Sequence, residues 1–208
     1  MPIIGVCGNS GAGKTTVCTA FVSLGARFID TDGVYHELIT PIRGEPSPLV
    51  QRIAHEFGDV ILADGTLDRR ALAKTVFSDR EKLKKLNSMT HPVIMEETMR
   101  LARGYESDGT SVILIDAPAL FECGGDRLCD YLLCVTASED TRAARVVARD
   151  GITKEEAKKR FASQLPEAIL RERCDFVIEN EDGSDIEGQV GRIMAQLTGG
   201  GTDEGNKI

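Results

Sequence analysis

A chain of 208 residues, 41% hydrophobic and 28% charged, can bury one core with a small added lobe and has the balance of a globular protein. Its formal net charge of −8 argues against a nucleic-acid partner, which needs a basic face, but leaves room for a polyanionic small substrate held by local cations. No apolar run approaches a membrane span and Met1 to Cys7 lacks a basic leader start, so no membrane is expected. The six cysteines show neither a C-x-x-C pair nor histidine partners at metal-ligand spacing, and read as reduced, mostly buried thiols of a cytoplasmic protein.

In chain order, the apolar run Ile3 to Cys7 reads as a buried strand, and Thr15 to Leu24 as a helix with Val17, Phe21 and Leu24 on one face. Between them, Gly8-Asn9-Ser10-Gly11-Ala12-Gly13-Lys14-Thr15 fits G-x-x-x-x-G-K-[ST] without a mismatch. Such a loop turns successive backbone N–H groups toward one anion, and the following helix adds its positive end. Lys14 would reach the β- and γ-phosphates of a nucleoside triphosphate, and the Thr15 hydroxyl would ligate Mg²⁺. Arg27 to Asp30 reads as the second strand, and Gly33 to Ile39 as a short helix. After the turn-rich break at 41–48, helices are expected over 49–57, 69–77 and 81–103, the last kinked or broken at Pro92. Ser111 to Asp116 and Tyr131 to Thr136 read as strands, 138–164 as two helices, and Cys174 to Ile178 as the last strand. A capping box Ser184-x-x-Glu187 should open the final helix. Alternating strands and helices point to an α/β fold, a parallel sheet core covered by helices.

Several side chains carry chemistry in this frame. Asp30 and Asp32 close the second strand at the edge of the sheet where ligands bind. Asp32 reads either as a carboxylate that takes an acceptor's proton or as the cap of the helix at Gly33. Asp116 at a strand end would hold Mg²⁺ or its water opposite Thr15, or else satisfy backbone. Arg142, Arg145 and Arg149 share a helix face capped by Ser138, and a second helix opens with the capping box Thr153-x-x-Glu156. The pair reads as a basic lid, with Arg142 peripheral, or as a solvated face. Arg69 and Arg70 sit at a helix start against the dipole preference, which an acceptor phosphate would explain. His91 is either structural or an acceptor contact.

Taken together these segments resemble the dephospho-coenzyme A kinase family, from about Ile3 to Asn180. Phe28-Ile29-Asp30-Thr31-Asp32 resembles its strand ending in Asp-x-Asp, and Asp64-Gly65-Thr66-Leu67-Asp68-Arg69-Arg70-Ala71-Leu72 its "DGxLxRxxL" segment. His91-Pro92 resembles its "HP" pair, and Ala117-Pro118-Ala119-Leu120-Phe121-Glu122 its "xPLLFE" segment. Arg145-x-x-x-Arg149-Asp150 matches the lid, and Asp175 to Asn180 the closing "DxVIxN". Two departures stand out: Asn9 replaces a glycine in the loop, and Ala119 a leucine.

The resemblance implies a P-loop kinase that uses ATP and Mg²⁺ to phosphorylate the ribose 3′-hydroxyl of dephospho-CoA. Its implied parts are a nucleotide-binding core (1–39, 106–137 and 166–198), a helical acceptor-binding insertion (40–105) and a helical lid (138–165), followed by a disordered tail (199–208). The implied catalytic residues are Asp32, Lys14 and Arg145. ATP would be held by Gly8, Asn9, Ser10, Gly11, Ala12, Gly13, Lys14, Thr15, Thr16, Arg149 and Asn180. The acceptor would meet Asp32, Arg69, His91, Pro118 and Leu120, and the metal Thr15 and Asp116. The expected partners are ATP and dephospho-CoA alone, in a monomer or weak homo-oligomer. Rival readings are another small-molecule kinase acting on a nucleoside or nucleotide, and a GTPase switch. The switch needs an Asn-Lys-x-Asp segment, and Asn-Lys occurs only at the tail, as Asn206-Lys207.

Overall fold

The computed structural model describes residues 1–118 and 120–199, so the expectations for Ala119 and for the tail beyond Gly199 lie outside the described residues. In chain order the first elements are β1 (Ile3–Cys7), α1 (Lys14–Ser23), β2 (Arg27–Asp30), α2 (Thr31–Leu38) and α3 (Pro48–Phe57). Next come α4 (Arg69–Val76), α5 (Arg80–Ser107), β3 (Ile113–Asp116) and β4 (Tyr131–Thr136). The chain continues with α6 (Glu139–Asp150), α7 (Lys154–Ala162), α8 (Glu167–Arg173), β5 (Phe176–Glu179) and α9 (Ile186–Thr198). They fall into two compact units, Met1–Phe28 with Gly104–Ile208, and Ile29–Arg103.

The sheet has the strand order β2-β3-β1-β4-β5, with β1 at its centre. β1 pairs in parallel with β3 (Ile4 beside Leu114) and with β4 (Val6 beside Leu133), and β4 pairs in parallel with β5. Both faces of these strands are covered, which is why they read as continuous apolar runs instead of alternating ones. One face packs Ile4, Val6, Leu114 and Leu133 against Val17 and Phe21 of α1 and Val190 and Ile193 of α9. The other buries Cys7, Leu120 and Cys134 with Leu170 of α8. Burying these side chains is worth roughly 25 cal/mol per Å² of apolar surface, the main favourable term here.

The second unit has its own core, Ile39, Leu49, Val50, Ile53, Val60, Leu67, Leu72 and Val76, with Leu83, Leu86 and Val93 packed against it. Its helices open on side-chain caps. Ser47 accepts from the Val50 N–H ahead of Pro48, and Asp68 accepts from the N–H groups of Arg70 and Ala71. Among the described residues no helix is long and apolar enough to cross a membrane.

Three local expectations are corrected and a fourth is narrowed. α2 begins at Thr31 and not Gly33, because Asp30 is its cap and accepts from the Asp32 N–H at 3.0 Å; Asp32 sits in the first turn and caps nothing. Of the two outcomes expected at Pro92, a break does not occur: α5 runs from Arg80 to Ser107 through it. Pro92 is exposed, so the helix hydrogen bond it removes leaves a carbonyl that water can reach. The last strand starts at Phe176, after the helix α8, which fills residues with no capping signal at Pro166. α9 is capped by Asp185, which accepts from the Gly188 N–H, while Ser184 accepts from Glu181 and forms no capping box.

These caps make a test. Asp30→Ala should lower stability by about 1 kcal/mol, the usual worth of an N-cap, whereas Asp32→Asn should leave it unchanged. Urea unfolding of both variants reads this directly, and equal losses would return the capping role to Asp32.

Candidate active site

The loop between β1 and α1 takes its shape from two glycines in left-handed conformation, Gly11 (φ 84°) and Gly13 (φ 87°). A Cβ on Gly11 would lie 2.5 Å from the Arg142 carbonyl oxygen, and one on Gly13 would collide with the Asn180 side-chain amide. The loop is thus pressed against α6 on one side and the end of β5 on the other. Gly13 caps α1 with no side-chain hydrogen bond, which leaves the first N–H groups of that helix for an anion. Lys14 donates from Nζ to the Gly8 carbonyl at 3.2 Å, folding its ammonium back over the loop.

Asn180, 6% exposed, donates from Nδ2 to the Ala12 carbonyl at 2.8 Å, and its N–H donates to the Thr136 carbonyl. Arg145 donates to the Asn180 carbonyl at 2.9 Å, reaches the Gly11 carbonyl at 3.5 Å, and pairs with Asp182 at 2.9 Å. Next to Asn180, Glu181 accepts from the Ser138 N–H and from the hydroxyls of Thr141 and Ser138. The Thr141 hydroxyl, followed by the Ser138 N–H, holds the Glu181 carboxyl below its ordinary range. The root of α6 is therefore fixed to the same segment that fixes the loop.

A cavity of about 250 Å³ is lined by Asn9, Ser10, Gly11, Gly13, Lys14, Thr15, Asp116, Arg145 and Arg149. It brings together most of the residues expected to hold a nucleotide and its metal. Thr15 and Asp116 offer hard oxygen donors there, the kind Mg²⁺ takes. A second cavity, about 380 Å³, is lined by Cys7, Gly8, Asn9, Lys14, Pro118, Leu120 and residues of 163–170, so two of the expected acceptor contacts adjoin the loop. Thr16 is exposed on the first turn of α1.

The 138–165 segment is bound to the loop at its far end. Asn9 Nδ2 donates to the Leu165 carbonyl at 3.1 Å, and Ser10 exchanges hydrogen bonds with Gln164. Asn9 does not take a positive φ, so the loop needs no glycine there, and its side chain is free to make this contact. Within the segment, Asp150 accepts from both Arg149 and Arg160, and those contacts, Arg149 first, hold its carboxyl far below the usual range. Arg142, expected to be peripheral to the phosphates, is not among the residues lining the loop cavity; it is 7% exposed and 4.5 Å from the Phe161 ring, with Nε and Nη1 lacking hydrogen-bond partners.

In the second unit, Asp32 is exposed on the first turn of α2, where Tyr35 and His36 follow at i+3 and i+4. Arg69 lies 3.5 Å from His36 Nε2 and 6.0 Å from the Tyr35 ring. Burial raises the Tyr35 hydroxyl and the Arg69 charge opposes it. Arg70 is exposed beside it, and His91 is half-buried within α5. Sequence reasoning passed over Tyr35 and His36; the signal available was their helical spacing from Asp32. It also passed over Gln164, whose contact with Ser10 has no local signature.

Comparison with known proteins gives this geometry a context. The family model described as dephospho-CoA kinase matches residues 2–186. The dephospho-CoA kinase of Symbiobacterium thermophilum is 36% identical over 198 residues, 95% of this chain and 79% of that protein. A solved Thermus thermophilus protein has a TM-score of 0.75 at 32% identity, covering 97% of this chain and 98% of its own. Dephospho-CoA kinase from Campylobacter jejuni, at 22% identity, shares the fold with a TM-score of 0.68 over 95% and 98% of the two chains.

The Asn180 contact yields a prediction. Asn180→Ala removes the donor to the buried Ala12 carbonyl, which should cost about 1–3 kcal/mol in urea unfolding. The shift in Tm that ATP confers should shrink with it. A variant of full stability and full ATP response would show that the loop holds its shape without this bond.

Proposed function

The chain belongs to the dephospho-CoA kinase family, and from that premise we propose which of its residues perform each part of the transfer. The reaction passes the γ-phosphoryl group of ATP to the ribose 3′-hydroxyl of dephospho-CoA and gives ADP and CoA. A bond forms between the γ-phosphorus and the 3′-oxygen, the bond to the β-phosphate oxygen breaks, and the hydroxyl proton leaves. The transferring group carries its charge on peripheral oxygens, so the work falls on positioning and electrostatics.

The observation that carries the reading is the cavity where the loop, Lys14, Thr15, Asp116, Arg145 and Arg149 meet. Lys14, the loop amides and the free N–H groups of α1 hold the β- and γ-phosphates. Thr15 and Asp116 would hold Mg²⁺, which supplies neutralising charge when bound. Arg145 keeps the loop closed through the Gly11 and Asn180 carbonyls and presents its remaining guanidinium edge to phosphate, as Arg149 does from the next turn. Asn180 and Thr16 complete the nucleotide site. Residues 138–165 act as the lid on a core of 1–39, 106–137 and 166–198, and 40–105 bind the acceptor. Asp32 accepts the 3′-hydroxyl proton, a role its freedom from capping supports. Arg69, with His36 and Tyr35 beside it, takes an acceptor phosphate, and His91, Pro118 and Leu120 contribute further acceptor contacts. Six free cysteines among the described residues suit the reducing cytoplasm.

Two substitutions separate these roles. Lys14→Ala should fold normally and lose about 10²–10³ in kcat, as when one preorganised charge is removed from a reacting site. Asp32→Asn should lose at least about 10² in kcat with KM for ATP nearly unchanged, the pattern of a lost general base. An assay coupled to ADP release, with dephospho-CoA against nucleosides and nucleotides as acceptors, checks the function itself. Turnover of a nucleoside at the rate of dephospho-CoA would overturn the acceptor assignment, and unchanged kcat in Asp32→Asn would remove the base.

A further inference from the structure

Three thiols that the transfer does not use meet beside the phosphate-binding loop. Cys7 ends β1, Cys134 is its register partner on β4, and Cys174 follows the last turn of α8. Register partners on neighbouring strands project to the same face of a sheet, which places Cys7 and Cys134 together. Their sulfurs and that of Cys174 all lie within 4.8 Å of one another, with Cys7 and Cys174 at 3.3 Å. We propose that Cys7, Cys134 and Cys174 form a site for a soft divalent cation of the Zn²⁺ class, and that its occupancy opposes nucleotide binding at the adjoining loop.

Chemistry and geometry select that class of ion. Zinc–sulfur bonds of about 2.3 Å at tetrahedral angles require sulfurs about 3.8 Å apart, within reach of small side-chain rotations here. A hard ion such as Mg²⁺ does not compete, because thiolates favour soft cations. Hydrogen bonding within the trio acts in both directions, and with burial the net is upward, to about 12 at each thiol. The empty site is therefore protonated, and only an ion that bonds sulfur strongly displaces the three protons, which pass to solvent. Cys7 also lines the cavity of about 380 Å³ that contains Gly8 and Lys14, which gives the ion an entry path and room for a water as fourth ligand.

The link to the loop is electrostatic and covalent. Three thiolates around a divalent ion leave one net negative charge, and Lys14 is the cation whose charge already acts on Cys7. That charge draws the ammonium away from phosphate. Cys7 also adjoins Gly8, whose carbonyl accepts from Lys14, so a shift at the sulfur moves the loop. This coupling rests on the loop's reading as the ATP site, whereas the cation site itself does not.

Cd²⁺ serves as the probe on the full chain, reduced with a phosphine. A sulfur-to-cadmium charge-transfer absorption should saturate at one ion per chain, disappear in Cys174→Ser and persist in Cys129→Ser. X-ray absorption on the wild-type complex should count three sulfurs, which keeps the site testable if Cys174→Ser does not fold. With free Cd²⁺ held fixed by a metal buffer, saturating ATP should weaken Cd²⁺ binding about tenfold, an ordinary coupling between sites. No band, a band that survives Cys174→Ser, or fewer than three sulfurs overturns the cation site. A three-sulfur site indifferent to ATP, in a protein whose Tm ATP still raises, overturns the coupling alone.

Discussion

The hydrogen bond from Asn180 to the Ala12 carbonyl sets the geometry on which the nucleotide site depends. It reaches across 168 residues of sequence to the tightest point of the loop, where Gly13 leaves no room for a side chain. The residue is buried, so its amide has no water to fall back on and the bond is kept. Its own carbonyl seats Arg145, and its neighbour Glu181 anchors the start of α6. The end of one edge strand thereby fixes the loop, the root of α6 and an arginine of the cavity at once. The loop, the start of α6 and the end of β5 form one polar unit, and a disturbance at any of them is felt at the others.

Much of this was legible in the sequence because the signals are local. The strand Ile3–Cys7, the loop motif and the caps Ser138 and Thr153 each need only a handful of neighbouring residues, and all are present. The misses share the opposite character. Asp30 and Asp32 are equally good caps on paper, and the choice was made by where β2 ends. Ser184 and Asp185 posed the same choice, settled by the turn back to Glu181. α8 is seven residues long and opens at a proline with no side-chain cap, so nothing local announced it; packing of Leu170 under the sheet holds it. The trio of thiols was invisible for the same reason: ligand spacing along a chain reports clusters on one hairpin or helix, and these three come from separate elements. For the candidate site, residue types pointed to the phosphate pocket, but not to Gln164 or to the pairing of Arg69 with His36.

A net charge of −8 coexists with a pocket for polyanions because the two act over different ranges. Screening limits the overall charge to about 8 Å at physiological ionic strength. Within the cavity, Lys14, Arg145 and Arg149 stand beside loop amides and a helix N-terminus. Asp182 and Asp150 pair with the two arginines and Asp116 is on the same wall, so what the cavity offers a polyanion is a dense set of N–H donors and not an excess of charge. Arg142 belongs to a different category. Its guanidinium is buried on an aromatic face, where burial of Phe161 and the cation–π contact join α6 to α7.

That junction has a consequence for how stability is distributed. α7 contributes one fully buried side chain, Ala157, and otherwise depends on the Arg142–Phe161 stack and the exposed Arg149–Asp150–Arg160 contacts. The central strands are buried without exception from Ile4 to Cys7 and from Leu133 to Thr136. Amide hydrogens of α7 will therefore exchange with solvent through a small local opening, while those of β1 and β4 wait for global unfolding. Stability is thus graded along the chain: α7, which leads into the Gln164 and Leu165 contacts with the loop, can loosen while the strands β1 and β4 stay intact.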